Sequence, residues 1–157
     1  TTSVVGTSRL SPDTLIHPAA YTNGDGAESN CAEAFAVKGT GTCNLALACV
    51  AANAQLVYVS TNRVFFDETR SVPFNEWDTR NPRGGYAETK YAGEMYVEHL
   101  MQRFYIARVS WLYGKQGDSF IHKIVRAAGA RGALSGVEGE SATPTYDEAL
   151  GAALAKT

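Results

Sequence analysis

The sequence is poor in the features that mark several large classes of protein. Only three of its 157 residues are cysteines, Cys31, Cys43 and Cys49, and no CxxC pair or histidine cluster accompanies them. An odd and sparse cysteine set is typical of a reduced interior, so we expect a cytoplasmic protein without a disulfide framework. We also expect no metal site, and a redox or metal role for the cysteines is the alternative.

Long apolar runs and a one-sided charge are missing as well. No stretch approaches the roughly 18 uncharged apolar residues of a membrane span, and we expect no signal peptide in residues 1–9. Fourteen basic residues face sixteen acidic ones, for a formal charge of −2. We therefore expect neither nucleic acid nor a membrane among the partners. The 45% hydrophobic and 19% charged residues are ordinary globular values and argue against disorder.

Short β-rich runs alternate with longer helical stretches along the chain, which predicts an α/β fold with a parallel sheet. Ligands of such sheets sit beyond the carboxyl ends of the strands, so we expect the chemistry at residues 19–22, 60–64 and 110–114. The predicted strands and helices, in chain order, cover residues 15–20, 29–53, 55–60, 86–102, 104–109, 120–130 and 147–156.

The helix predicted at 86–102 follows a loop-rich excursion at 61–85. We expect its apolar residues Tyr91, Met95 and Leu100 near one face, with the glutamates largely elsewhere. The glutamates in question are Glu88, Glu94 and Glu98.

Tyr86 and Lys90 are four positions apart, so a helix puts both side chains on one face. A phenol with its ordinary pKa of about 10 is a poor proton carrier at neutral pH, and a neighbouring ammonium lowers that pKa. A tyrosine tuned in this way can exchange a proton with a carbonyl or alcohol oxygen. Such a pair also arises by chance, so a structural role is the alternative.

Two further groups follow predicted strands. Ser60 and Thr61 could hydrogen-bond the oxygen that Tyr86 protonates, or they could cap the strand end. Trp111 and Tyr113 suit stacking on a ring, or ordinary packing. The histidines share no ligand spacing, so we expect structural or solvated roles for His17, His99 and His122.

Six strings of the sequence carry a family resemblance. The strings are AAYTNGDGAE from Ala19, GTGTCNLALAC from Gly39, LVYVSTNRVF from Leu56, NPRGGYAETKYAGE from Asn81, RVSWLYG from Arg108 and TPTY from Thr143. Together they resemble the extended short-chain dehydrogenase/reductases, and most closely the dTDP-4-dehydrorhamnose reductase family. They occur in family order and at family spacing over about residues 12–155.

This resemblance implies a reductase that moves hydride from NADPH or NADH to the 4-keto group of a nucleotide-linked deoxysugar. Tyr86 would donate the proton, Lys90 would lower its pKa and bind the nicotinamide ribose, and Thr61 would orient the keto oxygen. The implied cofactor contacts are Ala19, Ala20, Tyr21, Tyr86 and Lys90, and the implied substrate contacts are Thr22, Ser60, Thr61 and Trp111.

The chain departs from the family pattern in identifiable places. Asn62 and Arg63 stand where the family usually has Asp-Tyr, and Lys38 stands where an Asn is common. The Gly-rich loop that opens a dinucleotide fold does not occur near Gly6, and the family continues past Tyr146 with a substrate-binding lobe.

We therefore expect one partial NAD(P)-binding domain over residues 1–157, with an incomplete Rossmann-like doubly wound sheet. Without a preceding first strand, the strand ending at Ala20 would be a bare edge. Residues 1–5, a second chain or copy in a homo-oligomer, or residues outside this sequence would cover it. The leading hypothesis is a nicotinamide-dependent sugar-nucleotide reductase, and the alternative is a non-catalytic regulatory or binding module on the same fold.

Overall fold

The computed structural model describes residues 10–18, 39–117, 119–131 and 142–157. The chain divides into two compact units, residues 1–108 and 109–157. No helix within the described ranges is long and apolar enough to cross a membrane. The elements, in chain order, are β1 (Thr14–His17), α1 (Gly41–Ala52), β2 (Gln55–Thr61), a 3-10 turn (Asn62–Val64), α2 (Gly85–Leu100), β3 (Phe104–Val109), α3 (Phe120–Arg131) and α4 (Asp147–Leu154).

The three described strands form one parallel sheet in the order β1-β2-β3. The register runs from Thr14 opposite Gln55 to His17 opposite Tyr58. β2 is the middle strand and every residue from Leu56 to Thr61 is buried, which explains its near-continuous apolar run. The predicted α/β fold with a parallel sheet is confirmed. Residues 1–5, one of the candidates for covering the β1 edge, lie outside the described ranges.

Helix α1 confirms the second half of the helix predicted at 29–53, whereas residues 29–38 are outside the described ranges. The helix ends where Asn53 takes a left-handed conformation (φ 53°) and donates its N–H to the carbonyls of Cys49 and Val50. Small residues on α1, including Ala46 and Cys49, pack against β2 and α2. The hydrophobic core of the first unit therefore lies between the two helices and the sheet.

Helix α2 begins after Gly84, whose φ of 81° is one that glycine adopts without strain. The apolar face that we predicted for it is wrong: Leu100 is 36% exposed, whereas Glu94 is completely buried. The buried face includes Ala87, Lys90, Glu94 and Val97, at helical spacings of three and four. Hydropathy alone misassigned this face because the partners of its charged residues come from distant segments.

The partners of Glu94 are two arginines from different parts of the chain. Arg108, at the end of β3, donates from Nε and Nη2 to the two carboxylate oxygens over 2.9 and 2.8 Å. Arg80, from the excursion, donates to Glu94 Oε2 over 3.1 Å and to both oxygens of Glu98 over 2.7 and 3.0 Å. This network, Arg80–Glu94–Arg108–Glu98, fastens the excursion and β3 to α2.

The second unit brings two of the six strings together. Tyr113 forms an isolated parallel bridge with Tyr146. The N–H of Tyr113 donates to the carbonyl of Thr145 over 3.0 Å, and the N–H of Asp147 donates to the carbonyl of Tyr113 over 2.9 Å. A Cβ atom at Gly114 would collide with the carboxylate of Asp147. A larger residue at Gly114 would therefore force the side chain of Asp147 to shift, at the place where RVSWLYG meets TPTY.

Replacing Glu94 with glutamine should destabilise the protein by about 3 kcal/mol, because it leaves Arg108 partly buried without its ionic partner. Urea unfolding at pH 7 would measure this loss. Glu98→Gln is the matched control: Glu98 is more exposed than Glu94 and shares only Arg80 with it, so its cost should be about 1 kcal/mol or less. Equal losses for the two variants would contradict the central place of Glu94.

Candidate active site

Thr61 is the last residue of β2 and lies at the carboxyl end of the sheet, where ligands of parallel sheets bind. Its hydroxyl accepts a hydrogen bond from the N–H of Arg63 over 3.3 Å and so caps the 3-10 turn. The same side chain forms a hydrogen bond with Tyr86, and this bond acts to lower the pKa of that phenol. Thr61 therefore combines the capping role with a direct contact to the predicted proton donor.

Ser60 precedes Thr61 on β2 and is 2% exposed. Within the described ranges its Oγ is buried and has no hydrogen-bond partner. A buried hydroxyl without a partner costs about 1–3 kcal/mol. An incoming polar group of a ligand could remove that cost, which agrees with the substrate contact predicted for Ser60.

Lys90 follows Tyr86 by one helical turn and is 1% exposed. Its Nζ donates to the backbone carbonyl of Val59 over 2.6 Å. The same nitrogen lies 4.3 Å from the centroid of the Tyr58 ring, within the range of a cation–π contact. α2 thus delivers a buried ammonium to β2, two residues before the strand end at Thr61.

The pKa of Tyr86 is raised from its ordinary value, chiefly because burial disfavours the phenolate. The hydrogen bond with Thr61 and the nearby positive charge of Arg63 act in the opposite direction but are smaller. In the chain by itself, desolvation therefore outweighs the favourable charges. The lowering of this pKa by Lys90 together with a bound cofactor stays a prediction.

His17, at the end of β1, forms a second buried polar group beside the lysine. Its Nε2 lies 3.2 Å from the hydroxyl of Thr42, and its ring lies 5.7 Å from that of Tyr58. Burial, followed by the positive charge of Lys90, lowers the pKa of His17 to about 4. This histidine is therefore neutral at physiological pH, in agreement with the structural role expected for it.

Trp111 belongs to the second unit and adopts a φ of 43°, which is strained for a bulky residue. Its ring packs against Phe120 with centroids 5.3 Å apart, while Tyr113 packs against Tyr146 at 5.5 Å. Packing, one of the two roles left open for these aromatics, is thus present. Strained backbone is common at functional sites. The substrate contact at Trp111 stays a prediction.

Several predicted residues are not described. Ala19, Ala20, Tyr21 and Thr22 lie outside the described ranges, as does Lys38. The structure therefore brings together Thr61, Tyr86 and Lys90 near the end of β2, with Ser60 beside Thr61. Among the described residues, no group of His, Cys, Asp or Glu is arranged to hold a metal ion.

Sequence reasoning missed two residues of this region. Arg63 lies close enough to Tyr86 for its charge to lower the pKa of that phenol, and its departure from the family pattern was the available signal. Tyr58 contacts Lys90, yet in sequence it is one more member of an apolar strand. Side chains alternate along a strand, so Tyr58 and Ser60 lie on the same face of β2, and this alternation was the available signal for Tyr58.

The excursion at 61–85 carries a groove of about 680 Å³, whose lining includes none of Ser60, Thr61, Tyr86 and Lys90. Its backbone is held by Asn81, whose N–H donates to Val64 and whose side chain donates to Phe66. The rings of Phe65 and Phe74 stack 5.1 Å apart. The lining residues include Phe66, Thr69, Arg70, Arg80 and Arg83.

With this geometry in place, the chain can be compared with known proteins. The family described as RmlD substrate binding domain matches residues 4–157. The chain belongs to this family. The resemblance inferred from the six strings is thereby confirmed, and so is the Rossmann-like fold class, through related reductase structures.

Individual relatives of this RmlD-family chain are similar over most of its length. A dTDP-4-dehydrorhamnose reductase of Mycobacterium tuberculosis H37Rv is 39% identical over 146 residues, which cover 90% of this chain and 48% of the relative. A dTDP-4-keto-6-deoxy-D-glucose reductase of Streptomyces niveus is 36% identical over 88% of this chain and 48% of the relative. The chain thus spans about half the length of the curated relatives it matches.

The solved structure of dTDP-4-dehydrorhamnose reductase from Bacillus anthracis in complex with NADP superposes with a TM-score of 0.89 at 34% identity. The superposition covers 98% of this chain and 54% of the Bacillus anthracis chain. The corresponding Clostridium acetobutylicum structure gives a TM-score of 0.90 at 31% identity, with the same coverage.

The depressed pKa of His17 makes stability depend on pH. The unfolded chain takes up a proton at His17 below its ordinary pKa of 6.5, whereas the folded chain resists protonation down to about 4. The free energy of unfolding should therefore fall as the pH drops from 6.5 towards 4, by up to about 3 kcal/mol from this group. Urea unfolding of the wild type and His17→Gln between pH 7 and 4 measures it. The variant should lose less over this window, and parallel pH curves would contradict the assignment.

Proposed function

We propose that the chain carries the catalytic part of an NADPH- or NADH-dependent reductase acting on the 4-keto group of a nucleotide-linked deoxysugar. The observation that carries the proposal is the Thr61–Tyr86 hydrogen bond at the end of a parallel strand, with the buried ammonium of Lys90 one helical turn away. The printed names of the relatives, which are reductases of dTDP-linked keto sugars, support the substrate class.

Tyr86 is the proposed proton donor. Its raised pKa keeps the phenol protonated at neutral pH, which is the form needed to give a proton to the carbonyl oxygen of a ketone. Thr61 would orient that oxygen, and its hydrogen bond with the phenol supports this role. The positive charges of Lys90 and Arg63 favour the phenolate that remains after proton transfer, so they lower the barrier to donation.

The residues present fit a nicotinamide cofactor. When bound, it supplies the hydride. Lys90 would hold the nicotinamide ribose, with Tyr86 beside it, and the cofactor contacts predicted at Ala19, Ala20 and Tyr21 belong to the same proposal. The hydroxyl of Ser60, which has no hydrogen-bond partner among the described residues, supports the fit, because a polar ligand group would satisfy it. The NADP complex of the Bacillus anthracis relative supports the choice of cofactor class.

The setting of the reaction is part of the proposal. We place it in the cytoplasm, since nucleotide-linked sugars are soluble and the described cysteines, Cys43 and Cys49, are free thiols. The nucleotide sugar is the proposed partner, and a second chain or copy covering the β1 edge is proposed from the sheet order. Trp111 and Thr22 are the proposed substrate contacts away from the reacting atoms.

Replacing Tyr86 with phenylalanine should lower kcat for ketone reduction by at least about a hundredfold, because general-acid catalysis contributes 10²–10⁴-fold. Tyr96→Phe is the matched control: it removes a hydroxyl from the same helix at a half-buried position. The measurement is NADPH consumption at 340 nm with a dTDP-linked 4-keto sugar. Undiminished turnover by Tyr86→Phe would overturn the assignment.

A non-catalytic module on the same fold is the competing function, and cofactor titration separates the two. NADPH and NADH are titrated while the fluorescence of Trp77 and Trp111 is followed. Saturable binding accompanied by turnover supports the reductase. Binding without turnover of any 4-keto sugar nucleotide, or no binding at millimolar cofactor, would replace it with the regulatory or binding module.

A further inference from the structure

Tyr58 of β2 contacts Lys90 at two separate points. Its hydroxyl donates to the backbone carbonyl of Lys90 over 3.3 Å, and its ring face lies 4.3 Å from Nζ of the same residue. Both side chains are buried, with exposed fractions of 0% and 1%. Tyr58 therefore contacts Lys90 both at its backbone carbonyl and at the charged end of its side chain.

The partners supplied to the ammonium by β2 are neutral. The Val59 carbonyl accepts its hydrogen bond over 2.6 Å, and the Tyr58 ring offers the negative face of its quadrupole. Such partners stabilise a buried cation but leave its charge uncancelled, whereas a carboxylate would cancel it. On the same helix face, the carboxylate of Glu94 is bound by Arg80 and Arg108.

A second row of buried groups holds Tyr58 itself. His17 lies against the tyrosine ring, and its imidazole contacts the hydroxyl of Thr42. A side-chain hydrogen bond links Thr42 to the phenol of Tyr58. Burial raises the pKa of Tyr58, so the phenol stays neutral and able to donate. The neutral state of His17 agrees with this arrangement, since a second cation would repel the ammonium.

We propose that Tyr58 is a positioning residue that holds the ammonium of Lys90 in place for cofactor binding, through its ring face and its hydroxyl. The proposal rests on the function proposed above, in which Lys90 contacts the cofactor. Tyr58 acts only through Lys90 and touches no reacting atom. Its aromatic ring carries most of the effect, because the ring contacts the charged end of the lysine.

The contact itself is tested by NMR on the protein labelled with ¹³Cε-lysine. The chain has five lysines, so the spectrum is simple, and Lys90→Arg assigns the resonance of interest. In the wild type the ε-CH₂ protons of Lys90 should be shifted upfield of those of the other lysines by the ring of Tyr58. Tyr58→Phe should keep this shift, whereas Tyr58→Leu and Tyr58→Met should abolish it.

The consequence is tested by the dissociation constant for NADPH, followed by fluorescence. Removing the ring in Tyr58→Leu or Tyr58→Met should weaken NADPH binding about tenfold, in the range of a desolvated cation–π contact. Tyr58→Phe should change it by less than about threefold, since only a hydroxyl bond is lost. Val97→Ala is the matched control: it truncates a buried residue of the same helix face and core cluster, so it should destabilise the protein and leave both readouts unchanged.

The outcomes separate this proposal from the proposed function. An unshifted Lys90 resonance in the wild type overturns the positioning role even if both ring-removing variants fail to fold. Unchanged NADPH affinity in a folded ring-removing variant also overturns it, and so does an equal weakening by Val97→Ala. If the wild type binds NADPH but reduces no keto sugar, the reductase function fails, while the resonance and the NADPH affinities still decide the role of Tyr58.

Discussion

The burial of two opposite charges on one face of α2 is the constraint on which the first unit depends. Lys90 and Glu94 are one helical turn apart and almost completely inaccessible to solvent. Neither could be buried without partners, because an uncompensated charge in the interior costs several kcal/mol. Glu94 receives its partners from the excursion and from β3, and Lys90 receives neutral partners from β2. The two charges therefore determine how α2 packs against the rest of the unit, and hydrophobic packing fills the space around them.

This arrangement links the fold to its chemistry. The same helix face that buries Lys90 carries Tyr86 to Thr61, at the strand end where parallel sheets bind their ligands. Burial disfavours the phenolate of Tyr86 and raises its pKa, while the positive charge of Arg63 acts in the opposite direction and is smaller. The same buried environment holds the side chain of Lys90 against β2.

Much of this could be predicted from the sequence. The apolar run of β2, the i, i+4 pair of Tyr86 and Lys90 and the order of the six strings led to the correct fold class and family. The buried face of α2 could not be predicted, because the partners of Glu94 lie 14 residues away along the chain in either direction. The raised pKa of Tyr86 in the chain by itself could not be predicted, since the desolvation that causes it exists only after packing. Tyr58 was missed for the same reason: its contact with Lys90 exists only after the helix docks on the strand.

The central claim is that this chain reduces a keto group next to Tyr86, and the fate of the hydride tests it most directly. The protein would be incubated with NADPH deuterated at both hydrogens of nicotinamide C4 and with a dTDP-linked 4-keto-6-deoxy sugar. The product would then be analysed by mass spectrometry and NMR. The account predicts a 4-hydroxy sugar that carries one deuterium at C4. Recovery of unreduced substrate from a protein that binds NADPH, or a product without deuterium at C4, would contradict it.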